Sequence, residues 1–207
     1  MATVVNTSPL NRIPAEFSAV TSVLRQARST NNVSISEIPA PAKLAPYSYA
    51  LGAEVSADET FLRASGETID ELATGRIVVL FDPAAPEEWE GSFRVVSYIR
   101  AELEHELGNE TMLGHVAWSW LEDALDANDC QVLAAGGTTT RVLSESFGTL
   151  ADRPATIDLE LRASWTPVID EPDLIGNHFE AWIDLLSTVA GLPPLPEGVT
   201  ALPGRRR

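Results

Sequence analysis

The sequence predicts an α+β fold in which a mainly antiparallel sheet of about six strands carries three helices packed on one face, in the order α-ββββ-α-ββ-α. Strand-like segments occur in runs joined by short connections, which favours antiparallel pairing, and three other segments place apolar residues at helical spacing. The 207 residues are 44% hydrophobic, which suits one sizeable core. We therefore expect a single domain at residues 14–191, a disordered segment at 1–13 and an extended, proline-rich arm at 192–207.

The first half of the predicted domain contains one helix and four strands. The helix begins at Pro14, since proline is tolerated in a first turn, and apolar residues such as Phe17 and Leu24 continue it to about Arg28. Segments that alternate apolar and polar residues, or are rich in β-branched residues, predict strands. These strands are expected at 33–38, 47–55, 76–81 and 93–103, with a polar loop at 56–74.

The second half of the predicted domain contains two helices and two strands. A helix is expected at 111–127, and strands are expected at about 130–146 and 155–165. The last helix is expected at 174–190, where Gly191 and the prolines that follow it end the helical pattern.

The stretch AAGGTTTRVLSESFG, residues 134–148, raises the question of a phosphate-binding loop or a serine nucleophile. A phosphate loop needs its glycines between a strand and a helix. Gly136 and Gly137 instead precede three threonines, which favour a strand. The pattern G-x-S-x-G of a nucleophile turn does not occur in the sequence either. We interpret the glycine pair as a hairpin turn or a bulge.

The residue types that most often carry chemistry form no recognisable motif. Cys130 is the only cysteine, and His105, His115 and His178 are not at metal-ligand spacing. His115 and His178 each lie near a predicted helix start, where we expect surface or capping positions. The sequence therefore assigns no catalytic residue, no metal ligand and no cofactor.

The best candidate surface is the predicted sheet face that points away from the helices. Alternation along the fourth and last strands places one set of charged and aromatic residues on this face: Arg94, Tyr98, Arg100, Glu102 and Arg162. The apolar alternates, Trp165 among them, face the helices. The polar rows form either a ladder of cross-strand ion pairs or a recognition face for a carboxylate, a phosphate or an acidic partner.

Two tryptophans are added to this candidate surface. Trp118 lies at the edge of the buried stripe of the second predicted helix, and Trp89 lies in an acidic connection. Each is either partly buried core or an anchor for a binding partner, since tryptophan is enriched at interface hot spots.

The charge of the chain excludes two classes of partner. Lys and Arg number 14 and Asp and Glu number 30, so the formal net charge is -16. Such a chain repels nucleic-acid phosphates and anionic lipids, and we expect neither direct nucleic-acid binding nor membrane binding. The N-terminal residues lack the pattern of a signal peptide, and no apolar run approaches the ~20 residues of a membrane helix. We expect a cytoplasmic protein.

Five motifs follow one another along the chain: WEGSFRVVSYIRAELE (89–104), WSWL (118–121), TRVLSESFG (140–148), RASWTP (162–167) and LPPLPEGV (192–199). Together they resemble an actinobacterial family known as domain of unknown function 3000, from about residue 14 to residue 204. The family has no assigned activity or catalytic residue, so the resemblance carries none over. Its gene association with a ribonuclease-D-like exonuclease implies an accessory role in RNA processing through a protein partner.

Three functions remain open at this point. The first is a non-enzymatic protein-binding module, adaptor or chaperone-like. The helix–strand order is similar to that of small acidic secretion chaperones, which are dimers that bind extended client segments, and from this likeness we expect a homodimer. The second is a small-ligand binder or an enzyme that acts on an anionic substrate through the arginines of the sheet face. The third is the accessory role in RNA processing that the resemblance implies.

Overall fold

The computed structural model describes residues 13–30, 32–41, 43–56, 71–103 and 112–192. Within these ranges, three α-helices and six β-strands follow one another in the predicted order. The helices are α1 (Ala15–Leu24), α2 (Leu113–Ala127) and α3 (Ile175–Val189). The strands are β1 (Val33–Glu37), β2 (Tyr47–Ser56), β3 (Glu71–Phe81), β4 (Phe93–Leu103), β5 (Val132–Ser144) and β6 (Thr156–Pro167). The predicted terminal segments lie outside the described residues, apart from residues 13 and 192.

The six strands form one antiparallel sheet in the order β1-β2-β3-β4-β6-β5. The first four strands are consecutive neighbours, β6 pairs with β4, and β5 pairs with the outer side of β6. The connection that contains α2 therefore passes over the position of β6, so that β6 lies between β4 and β5. As a result, β1 and β5 are the two edges of the described sheet.

The hydrophobic core lies between the sheet and the three helices. β4 alternates buried and more exposed residues along its length, because successive side chains of a strand point to opposite faces. Its buried residue Val95 lies opposite Trp165 of β6, and both are fully buried. The predicted apolar faces of the fourth and last strands are thereby confirmed.

Each helix supplies large side chains to the same face of the sheet. Phe17 of α1 stacks on Phe81 of β3, with ring centroids 6.0 Å apart. Trp182 of α3 lies over Gly75 of β3, where an added Cβ would come within 2.7 Å of the indole ring. The Trp118 side chain of α2 packs against Gly137 of β5. None of the helices in the described ranges is long and apolar enough to cross a membrane.

The first helix is shorter than the sequence predicts, since α1 ends at Leu24 and not near Arg28. The side chain of Arg28 instead donates hydrogen bonds to the backbone carbonyls of Arg25, Gln26 and Ala27. The carbonyl groups that follow the helix end are satisfied by this side chain, so another helical turn is not needed.

The third strand is longer than predicted, because β3 begins at Glu71 and not at residue 76. The predicted loop at 56–74 is therefore wrong at its end. Ala73 and Gly75 pair with Val55 and Ala53 of β2 and are buried beneath α3. These small residues have weak strand propensity, but their size lets the helix approach the sheet closely.

The glycine pair lies within β5, beside a bulge. Gly136 pairs with Ser164 and Gly137 pairs with Ala163 of β6, while the register shifts between Leu133 and Gly136. Of the two predicted alternatives, the bulge is therefore confirmed and the hairpin turn is wrong. Ala134 takes a φ of 46° at this bulge, a conformation that costs an L-residue free energy and needs support from its surroundings.

Candidate functional site

The candidate site is the sheet face that points away from the three helices, which we call the open face. In register, Tyr98 of β4 lies between Arg76 of β3 and Arg162 of β6. In the next row, Arg100 lies opposite Glu160 of β6. Strand pairing therefore brings together charged residues from three strands that are distant in sequence.

One end of the open face is apolar and is covered by connecting segments. Ala50, Val78 and Leu80 form a small buried cluster there. The segment after β1 covers this cluster with Ile38, and the loop before β4 adds Trp89. Trp89, one of the predicted site residues, is therefore half-buried at the apolar end.

Arg94 holds several parts of the structure together at the same end. Its guanidinium donates to the carbonyl oxygen of Ala134 at 2.8 Å, to Ser164 Oγ at 2.7 Å and to Thr166 Oγ1 at 3.2 Å. The Thr166 hydroxyl in turn donates to the backbone carbonyl of Trp89. Burial lowers the pKa of the Arg94 guanidinium below its ordinary value. Arg94 thus supports the β5 bulge and ties it to the loop before β4.

The other end of the open face carries a charged group that we call the Tyr98 cluster: Arg76, Tyr98, Arg100, Asp158, Glu160 and Arg162. Arg162 donates to the Glu160 carboxylate at 2.6 Å. The guanidinium carbon of Arg162 lies 5.3 Å from the centroid of the Tyr98 ring, which is within cation–π distance. Burial, followed by the hydrogen bond to Glu160, raises the pKa of Tyr98. Tyr98 is thus fixed between two charged groups of opposite sign.

Arg100 forms the second ion pair of the Tyr98 cluster. Its Nε and one terminal nitrogen donate to Oδ1 of Asp158 at 3.2 Å and 2.9 Å. The hydrogen bond to Asp158 raises the pKa of Arg100. The charge of Glu160, which lies directly opposite Arg100 in register, raises this pKa as well, and Glu102 lies opposite Asp158 on the same face. The side chains of Arg100 and Arg162 are 55% and 56% exposed, and ion pairs this exposed contribute little to stability.

Arg76 differs from the other arginines of the cluster. It is exposed, and its side chain has no hydrogen-bond or ion-pair partner among the residues that the structure describes. Within the described residues, Arg76 is therefore the one arginine of the Tyr98 cluster that does not pair with a carboxylate.

Two shallow concavities of the open face meet at Tyr98, which lines both of them. The first has a volume of about 440 Å³ and includes the side chains of Ser34, Ser36, Glu54, Thr74, Arg76 and Arg100. The second has a volume of about 470 Å³ and includes Gly136, Thr138, Arg162 and Ser164. Small and hydroxyl-bearing residues form the floor, and the longer side chains rise between them. The two concavities together extend from β1 to β5.

Trp118 does not belong to the open face. Its ring lies against Gly137 on the helix side of β5, where an added Cβ would come within 2.8 Å of the indole. Its Nε1 donates to Glu122 Oε1 at 2.8 Å. Of the predicted site residues, the structure therefore brings together Tyr98, Arg100, Glu102 and Arg162, and it places Arg94 and Trp89 at the far end of the same face.

Sequence reasoning missed the first concavity. Ser34 and Ser36 alternate with apolar residues of β1, which is a signal that they share the polar face. Thr74 and Arg76 alternate in the same way in β3, but the sequence predicts a strand only from residue 76 and a loop at Thr74. The register that brings these strands beside β4 has no signal in the local sequence.

A smaller cavity of about 160 Å³ is lined by Cys130 and His178 among others. His178 is only 1% exposed, so the expected surface or capping position is wrong for it, whereas His115 is exposed. The Nε1 group of Trp165 donates to Nδ1 of His178 at 3.2 Å, which places the proton of the neutral ring on Nε2. Burial lowers the pKa of His178 to about 4 and raises the pKa of Cys130 to about 11. Both groups are neutral at pH 7, unlike the charged pair that activates a cysteine nucleophile.

The described residues contain no group of three or more His, Cys, Asp or Glu side chains placed to hold a metal ion.

Comparison with known proteins places the chain in a family. A family model described as protein of unknown function, DUF3000, matches residues 13–200. No curated protein and no solved structure matches the chain. The matched range contains every helix and strand described above, and it therefore contains the whole open face.

Proposed function

The chain belongs to the DUF3000 family of proteins of unknown function, and we propose that it acts as a non-enzymatic protein-binding module whose open face receives an extended segment of a protein partner. The partner is a cytoplasmic protein, and the role is that of an adaptor or chaperone. The observation that supports this proposal most directly is the pair of concavities that adjoin at Tyr98 and cross the sheet from β1 to β5.

The length of this surface favours a chain segment as the occupant. Neighbouring strands lie about 4.8 Å apart, so the five spacings from β1 to β5 amount to about 24 Å. An extended segment of about seven residues has this length, since each residue adds about 3.3 Å. A small metabolite would occupy only one of the two concavities.

The chemistry of the open face favours a polar segment with at least one carboxylate. Arg76 offers a guanidinium that is not engaged by another described residue, and guanidinium groups bind carboxylates through two parallel hydrogen bonds. Tyr98 offers an aromatic ring at the meeting point of the concavities. The hydroxyl groups of Ser34, Ser36 and Thr74 supply further donors and acceptors for the main chain of the segment.

Capture of the tagged full chain from its native cytosol tests this proposal. We expect one protein to elute with the native chain in stoichiometric amount. The same protein should be absent from the eluates of the Arg76→Glu and Arg100→Glu variants. Arg25→Glu is the matched control, because the Arg25 side chain is as exposed as that of Arg100 and also pairs with a carboxylate, but it lies just after α1 on the covered side of the sheet. Equal capture by all three variants, or equal loss from all three, would contradict binding through the open face.

A second candidate function is supported by the first concavity alone. Its volume of about 440 Å³ lies within the range of small-ligand sites, and Arg76, Arg100 and Tyr98 line it together with three hydroxyl groups. A small ligand with a carboxylate or phosphate group would be held by these donors.

Calorimetric titration with inorganic phosphate and with a dicarboxylate, succinate, distinguishes the two candidates. Under the second candidate, one of these anions binds stoichiometrically and Arg76→Gln abolishes the heat of binding. Under the first candidate, both anions bind no better to the native chain than to Arg76→Gln.

A further inference from the structure

The strand β5 is the least covered part of the described sheet. It is 13 residues long, and not one of these residues is buried. Its apolar side chains Val142 and Leu143 are 44% and 49% exposed. Ordering an extended residue costs on the order of 1–2 kcal/mol, and side-chain burial normally offsets part of this cost. In β5 the pairing with β6 is joined by the Trp118 contact at Gly137 and the Arg94 hydrogen bond to Ala134, and no residue of the strand is fully covered.

The outer edge of β5 has no partner among the described strands. β6 lies on its inner side, and β5 is the last described strand of the sheet. Natural edge strands are protected against pairing by charged residues, prolines or short length. Arg141 is the one ionisable residue of β5, no proline interrupts the strand, and the bulge lies only at its start.

We propose that a second copy of this chain pairs with β5, so that two sheets join edge to edge around a two-fold axis at Thr139. The strand β5 would then lie antiparallel to β5 of the partner copy. This inference is independent of the function proposed for the open face.

The sequence of β5 is complementary to itself around this axis. Thr138 of one copy would face Thr140 of the other, and pairs of threonine are favourable neighbours across strands. Gly136 would face Val142, and Gly137 would face Arg141, so each larger side chain meets a residue without one. The two copies of Arg141 would lie four positions apart along the ladder, about 13 Å, which avoids direct repulsion.

The charge distribution favours contact between two copies through β5 over contact through other surfaces of the chain. Each chain has a formal net charge of -16 and 21% charged residues, whereas β5 carries no acidic residue. Two copies that meet through β5 therefore place together two strands that contain no acidic residue.

Disulfide crosslinking tests the position of the axis. In a Cys130→Ala background, Thr139→Cys places two thiols opposite each other at about 4.5–5.5 Å between Cα atoms, a separation that a disulfide accommodates. An added oxidant takes up the two electrons and two protons that the thiols lose. Ser144→Cys is the control, because the two copies of that residue would lie about 34 Å apart.

We expect Thr139→Cys to form a disulfide-linked dimer at a concentration where Ser144→Cys does not. Equal crosslinking at both positions would show random collision and would overturn the proposal, and so would failure of Thr139→Cys to crosslink while the variant remains folded by circular dichroism.

Sedimentation equilibrium of the full chain gives a second, independent test. We expect a reversible dimer that Thr140→Lys weakens roughly tenfold, since two lysines would lie diagonally across the axis, while Thr140→Ser leaves it unchanged. A full chain that remains monomeric overturns the proposal. A dimer that Thr140→Lys does not weaken uses another surface and overturns it as well.

Discussion

Single arginines on one sheet face have different tasks. Arg94 is half-buried and donates to a carbonyl and two hydroxyl groups of other segments. Arg100 makes one exposed ion pair with Asp158. Arg76 contacts the first concavity and has no partner among the described residues. The first of these therefore joins several segments of the fold, whereas the last is engaged by no described residue.

Loss of Arg94 is expected to destabilise the chain far more than loss of Arg100. Arg94→Met leaves the carbonyl oxygen of Ala134 and two hydroxyl groups without their donor, and we expect a loss of about 2–3 kcal/mol in the free energy of unfolding. Arg100→Met removes only a solvent-screened pair and should hardly change the urea midpoint. Urea denaturation of both variants measures the difference, and equal losses would show that Arg94 does not support the β5 bulge.

His178 makes the stability of the chain depend on pH. Burial lowers the pKa of His178 from 6.5 to about 4. At pH values between about 4 and 6.5 the residue therefore binds a proton in the unfolded chain but not in the folded chain. The contribution of this residue is complete above pH 6.5 and is lost as the pH falls toward 4. The loss amounts to about 3 kcal/mol at most.

We expect His178→Gln to flatten this dependence. The glutamine carbonyl oxygen can still accept the hydrogen bond from Trp165, but it does not titrate in this range. The free energy of unfolding measured in urea at pH 7, 5.5 and 4.5 should fall less steeply in the variant than in the native chain. Parallel curves would show that other groups cause the acid sensitivity.

Helices and strands of this chain were predictable where one side of the element meets a core. β4 and β6 alternate because one face of each packs beneath the helices, and this local pattern was sufficient to place Tyr98 and Arg162 on one face. The pattern could not show that Arg76 joins them, because strand register depends on contacts that are distant in sequence. Nor could it show that Trp118 lies over Gly137, which depends on how α2 crosses β5.

The contact between α3 and β3 depends on the size of one residue. An added Cβ at Gly75 would come within 2.7 Å of the Trp182 ring and 3.2 Å of a Leu186 methyl group. Gly75→Ala is therefore expected to lower the free energy of unfolding by about 1–3 kcal/mol. Gly136→Ala is the control, since no atom lies within 4 Å of the added carbon.

A second substitution separates crowding from a change in the backbone. Trp182→Phe shortens the ring that faces Gly75, so it should recover part of the loss when it is combined with Gly75→Ala. A double-mutant cycle by chemical denaturation measures this coupling. Strictly additive losses would mean that the helix–strand contact does not limit the size of residue 75.

Whole chains of this protein repel one another at long range, since each carries a formal net charge of -16. The proposed pairing through β5 would therefore have to overcome this repulsion. Salt weakens the repulsion because it screens the charges. The screening length falls from about 30 Å at 0.01 M salt to about 8 Å at 0.15 M. We therefore expect the dissociation constant of the dimer to fall several-fold as the sodium chloride concentration is raised over this range. Sedimentation at each salt concentration measures this, and a dimer that weakens with salt would mean that attraction between charges holds it.

The two edges of the sheet are unequal, and this inequality determines how far assembly can proceed. β5 is 13 residues long, whereas β1 has five residues and ends at Glu37. Once two copies have joined through β5, only the two short β1 strands remain at the outer margins of a twelve-stranded sheet. A short strand that carries an acidic residue is a poor template for another chain. In the proposed dimer, the described strands would therefore close the arrangement after two copies and oppose growth into fibres at both ends.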